Sequence, residues 1–162
     1  MFLTRVIVLA VAAAFVTPVL AEQATPGQTS GDTMQILREK IKTDKKLLVS
    51  ANMDLNASES KAFWPIYEAY QKELKAINDR LAQLILSYAE SYRNNTLTNE
   101  KATKLIAESI AVEKAETKLK SDYLPKLSKV LPGKKVARYL QIENKIRAAV
   151  KAELAEQIPL VE

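Results

Sequence analysis

The sequence predicts an all-α fold, a long antiparallel helical hairpin with two further helices packed on it. Three observations lead there. Glycine is absent between Gly31 and Gly133. That interval is rich in Ala, Leu, Lys and Glu, residues that favour helix. Apolar residues recur along it at steps of three and four, and no segment alternates as a strand would.

The first helix is predicted over about residues 33–51, with Met34, Leu37, Ile41 and Leu48 on one face and Asp32 or Thr33 as its cap. The second spans about Ala57 to Arg93. Phe63, Tyr67, Tyr70, Leu74, Ile77, Leu81, Leu84 and Tyr88 alternate steps of four and three along it, a sustained a/d seam. Asn56 and Glu59 make a capping-box pattern at its start. At about 1.5 Å per residue this rod is about 55 Å long and needs partners along its side. Asn94 and Asn95 supply the turn, and Thr98 caps a third helix over about Asn99 to Val130. Leu105, Val112 and Leu119 form its seam, with Ile106 and Ile110 alongside, whereas Ser109 and Glu116 stand where apolar residues would continue it. Leu131-Pro132-Gly133 breaks the chain before a fourth helix, about Lys134 to Gln157. Pro65 and Pro125 fall inside the second and third helices. A proline there removes a backbone hydrogen bond and clashes one turn back, so each predicts a kink or break, and together they predict a curved surface.

The amino terminus reads as a leader. A short basic start, Met1 to Arg5, precedes the apolar run Val6 to Val16, and Val19-Leu20-Ala21 suits a cleavage site before Glu22. Residues 1–21 are therefore expected to be a signal peptide that sends the chain to the periplasm, 22–32 a flexible tether holding Gly27, Gly31 and Pro26, and 33–162 one helical domain. The chain has no cysteine, so packing alone must hold an exported domain together. It also has no histidine, which removes the commonest zinc ligand and the usual general base near neutral pH. No phosphate loop, nucleophile elbow or metal-ligand spacing occurs, and the expectation is a non-enzyme without metal or cofactor.

The net charge of +5 is unevenly spread. Between Thr117 and Ala152 ten basic residues face only Asp122 and Glu143, whereas residues 22–116 hold 13 basic and 14 acidic groups. Lys134, Lys135, Arg138, Lys145, Arg147 and Lys151 form a candidate basic patch for acidic partners, anionic lipid included, or else a solvated helix face. No nucleic-acid-binding motif accompanies the charge. Glu143 and Arg147, four apart, suit an intrahelical ion pair.

Leu55-Asn56-Ala57-Ser58-Glu59 and Leu131-Pro132-Gly133-Lys134-Lys135, each opening a helix, resemble the paired LTxxQ-like motifs of the Spy/CpxP family of exported bacterial helical proteins. Both keep the leucine. Asn56 and Pro132 stand for the threonine, and Glu59 and Lys135 for the glutamine. The resemblance implies a curved antiparallel dimer that binds unfolded envelope proteins without ATP, or docks on a stress-sensing kinase. The histidine-bearing segments of the family's zinc-responsive members are missing, so no metal role carries over.

The candidate protein-binding residues are Phe63, Trp64, Tyr67 and Tyr70, because aromatic side chains offer large contact area with a polar tip. Phe63, Tyr67 and Tyr70 lie on the seam and suit core packing equally, whereas Trp64 lies just off it. The function expected is a periplasmic chaperone-like or envelope-stress factor, a homodimer that binds envelope proteins. The alternative is an adaptor for one folded partner, such as a sensor-kinase domain.

Overall fold

The computed structural model describes residues 44–161, and among them there are four helices and no strand. The fold is all-α, as the composition requires. The predicted signal peptide, the tether and residues 33–43 of the predicted first helix lie outside the described residues.

Helix α1 (44–53) ends at Asp54, whose φ of 47° turns the chain through the left-handed region that aspartate tolerates. Its buried face carries Val49 and Met53, while Leu48 is exposed. Of the predicted face only Leu48 lies among the described residues, and there the buried position is the adjacent Val49; the helix extends two residues beyond its predicted end. Helix α2, Ala57–Arg93, starts on the expected capping box: the Asn56 side chain accepts from the Glu59 backbone N–H, and the Glu59 carboxylate accepts from the Asn56 N–H at 2.9 Å. It ends as Asn95 takes a φ of 53°. Helix α3, Asn99–Ser128, is capped by the Thr98 side chain, which accepts from the Lys101 N–H. Helix α4, Gly133–Gln157, follows Pro132, which occupies its cap without a side-chain bond. Neither internal proline breaks its helix. Pro65 and Pro125 both sit on exposed faces of continuous helices, where water can reach the carbonyls they leave unpaired.

Cross-helix contacts fix the topology. Arg80 pairs with Glu108 and Tyr123 with Glu73, so α2 and α3 run antiparallel. Lys120 meets Asn144 and Lys151 meets Glu113, so α3 and α4 do the same. Helices α2 and α4 are consequently parallel, and the tyrosines of α2 meet Tyr139. Helix α1 returns antiparallel along α2, with Lys46 on Glu68 and Lys45 on both Gln71 and Glu143.

The core is aromatic and lies at the level that α1 covers. Phe63, Tyr67 and Tyr70 from α2, Tyr123 from α3 and Tyr139 from α4 are all at most 2% exposed. Their rings meet edge to face: Phe63–Tyr139 at 5.2 Å, Tyr70–Tyr123 at 5.3 Å and Tyr70–Tyr139 at 5.9 Å. Each such pair contributes about 1 kcal/mol beyond the area it buries. Val49, Met53, Leu127, Leu131 and Val136 close this core.

Its edge is polar. Glu143 is buried, and its two carboxylate oxygens accept from Lys45 Nζ and Gln71 Nε2, each at 2.8 Å. Glu143 therefore pairs across helices with α1, not with Arg147 one turn along α4. A carboxylate this deep needs a cation and a donor to offset lost hydration. Burial raises the phenol pKa values of Tyr67, Tyr70 and Tyr139 above the ordinary tyrosine range, and the Glu143 charge adds to each shift. Tyr123 is pushed up to about 12 by burial first, and then by its hydrogen bond to Glu73.

Candidate functional site

A second buried ion pair marks the waist of the bundle. Arg147 on α4 binds Glu116 on α3, and its Nη1 donates to Asn78 Oδ1 on α2 at 3.0 Å. Burial lowers the Arg147 pKa, and the charges of Tyr70 and Glu113 oppose that shift; a guanidinium stays protonated regardless. Glu116 interrupted the α3 seam in the sequence because it is this partner, buried at 6% exposure. On one side of the pair lies the aromatic core, and on the other the packing changes.

Beyond the waist the described residues supply three helices, because the described part of α1 begins at residue 44, beside Gln71 and Glu143. An apolar groove of about 740 Å³ opens there. Leu81, Leu84 and Tyr88 of α2, Leu105 and Ile106 of α3, and Leu154 of α4 line it. Val112 and Arg147 are also among its walls. Most of these aliphatic residues are half-buried, and Ile106 is 59% exposed. Lys151 and Glu113 pair at 2.9 Å on the rim, a bond that holds the Glu113 carboxyl below the usual range. The groove is thus electrically neutral and oily. It offers no donor set for a metal: no group of three His, Cys, Asp or Glu capable of holding one occurs among the described residues. A shallower depression of about 570 Å³ lies between α2 and α3, and the Arg80–Glu108 pair bridges its charged edge.

The four candidate aromatic residues part company. Phe63, Tyr67 and Tyr70 are core, and in this conformation they present no surface to a partner. Seam geometry made them candidates, and the same geometry points them at Tyr139. Trp64 is half-buried beside them; its indole Nε1 donates to Ser60 Oγ at 3.0 Å and Lys46 Nζ stands 5.2 Å from its ring. The proposed stripe is therefore reduced to the edge of one indole.

The six basic candidates also divide. Lys135 binds Glu59 and the Asp54 carbonyl, both at 2.6 Å, which ties the start of α4 to the α1–α2 turn. Arg147 and Lys151 are held by Glu116 and Glu113. Lys134, Arg138 and Lys145 remain exposed with no ion pair among the described residues. Their spacing of four and seven puts them on one solvent stripe of α4. The patch is half internal cross-linking and half true surface charge.

The groove residues were visible in the sequence only as continuations of seams. Leu81, Leu84 and Tyr88 carry the same period as Phe63, Tyr67 and Tyr70, and nothing local says that one set is sealed and the other open. A signal was present in α3, where Leu105, Ile106 and Ile110 spread apolar character over more than one face. Comparison with known proteins finds no matching family model, no matching curated protein and no matching solved structure. No helix among the described residues is long and apolar enough to cross a membrane.

Proposed function

We propose that this chain is a non-enzymatic protein-binding factor that takes exposed apolar segments of other proteins into the groove between the far ends of α2, α3 and α4. The observation that supports this is the groove itself: about 740 Å³ lined chiefly by aliphatic side chains that the described fold leaves half-covered. Surfaces of this kind associate with apolar partners. The leader-like residues 1–21 and the resemblance to the Spy/CpxP motifs favour an exported, ATP-independent chaperone-like role in the periplasm. The stripe Lys134, Arg138 and Lys145 favours a second reading, in which an acidic folded partner such as a sensor domain docks on α4.

The deciding experiment measures aggregation of two unrelated denatured proteins, one acidic and one basic, with the chain, with Ile106→Glu, and with Lys134→Glu/Lys145→Glu. Suppression of both clients that is lost in Ile106→Glu supports the groove. Suppression of neither client moves the weight to the adaptor. Sedimentation of the same samples reports whether a second copy fills the groove: a dimer that Ile106→Glu dissociates assigns it to self-association instead.

A further inference from the structure

The chain supplies its own occupant for the groove mouth. Helix α4 ends at Gln157, and Ile158 turns extended, at φ −92° and ψ 114°. The tail that follows, Ile158-Pro159-Leu160-Val161, is wholly aliphatic apart from its backbone and runs along the groove wall. One hydrogen bond across the bundle holds it there: the Tyr88 hydroxyl on α2 donates to the Pro159 carbonyl at 2.9 Å. Ile158 is half-buried, yet Leu160 is 88% and Val161 61% exposed. A tail built to stabilise the fold would bury those two side chains, each favoured by about 2 kcal/mol when fully covered. This one lies along the groove wall and leaves Leu160 and Val161 largely in water.

We propose that the groove recognises an extended, uncharged aliphatic peptide segment through its backbone, with Tyr88 donating to a ligand carbonyl, and that residues 158–161 are a tethered competitor for the same position. The proposal rests on the protein-binding reading above and adds the ligand's chemistry and its regulation. Tyr88 stands beside aliphatic walls with its hydroxyl turned to a carbonyl, which suits any sequence that offers one, because a backbone carbonyl carries no sequence information. Side-chain selection falls to Leu81, Leu84, Leu105 and Leu154, which accept Ile, Leu or Val and reject charge. A segment following a proline fits best, since proline pre-sets an extended chain with no N–H to satisfy. The tether keeps the tail at high effective concentration, and its single bond keeps it displaceable.

The test is fluorescence anisotropy with a blocked, uncharged peptide that carries Ile-Pro-Leu-Val twice, titrated with the full chain, a chain ending at Gln157, and Tyr88→Phe in each. Circular dichroism on all four establishes that they fold. The shortened chain is expected to bind about fivefold more tightly, roughly the worth of one net hydrogen bond. Tyr88→Phe should remove about that much affinity from the shortened chain. In the full chain it should change little, because tail and ligand lose the same donor. Equal binding by full and shortened chains, or weaker binding by the shortened one, overturns the competitor role while leaving the groove as a peptide site. Binding by none of the four overturns the peptide site and the tail's role with it.

Discussion

The two halves of the seam on α2 share a period and have opposite fates. Phe63, Tyr67 and Tyr70 are sealed under four helices, with rings on Tyr123 and Tyr139 and an ion pair from Lys45 to Glu143 closing the edge. Leu81, Leu84 and Tyr88 continue the same steps along the same helix, but among the described residues only α3 and α4 face them, and they line a groove. Between the two lies the Arg147–Glu116 pair with Asn78, which ties α2, α3 and α4 together. An amphipathic face is thus a demand for cover. Whether the demand is met depends on how many helices surround that level.

Alkaline titration should separate the two ends most sharply. The phenols of Tyr67, Tyr70, Tyr139 and Tyr123 all ionise at higher pH in the fold than in the unfolded chain. A raised folded pKa stabilises fully below the unfolded value, near 10, and that contribution is lost as pH rises through the folded one. Stability should therefore be level up to about pH 10 and then fall steeply, with phenolate absorbance appearing together with loss of helix. Phenolate formation by these four residues in a chain that stays helical at pH 11 would contradict their burial.

Cavity-forming substitutions should rank the halves next. Tyr139→Ala empties the centre of the aromatic cluster and should cost about 3–5 kcal/mol in urea unfolding. Leu84→Ala, on a half-covered side chain, should cost about 1 kcal/mol. Equal losses would mean that the groove is filled in solution. A change of opposite sign is expected at Tyr67, which is 2% exposed and whose hydroxyl has no partner among the described residues. Tyr67→Phe removes a desolvated, unpaired group and should raise stability by about 1 kcal/mol. A loss of similar size would reveal a partner for that hydroxyl.

Much of the local structure was legible. The start and end of α2 were read from Asn56, Glu59, Asn94 and Asn95, and the start of α3 from Thr98, since caps are settled by neighbours within one turn. At Leu48 the buried position of α1 was read one residue early, because Leu48 and Val49 are adjacent and equally apolar and only the approach of α2 and α4 chooses between them. Glu143 and Arg147 have the spacing of an intrahelical pair, yet each found a stronger partner on another helix. The basic patch misled for the same reason: Lys135, Arg147 and Lys151 answer to Glu59, Glu116 and Glu113, residues far away along the chain.

Composition, heptad steps and capping residues thus determined by themselves that the chain is helical and where α2 and α3 begin, because those choices depend on contacts three or four residues apart. Which half of the seam is sealed, which charges cancel and where a groove remains were decided only by the tertiary structure. Burial and ion pairing at any level depend on which other helices reach that level, and no single helix carries that information in its own sequence.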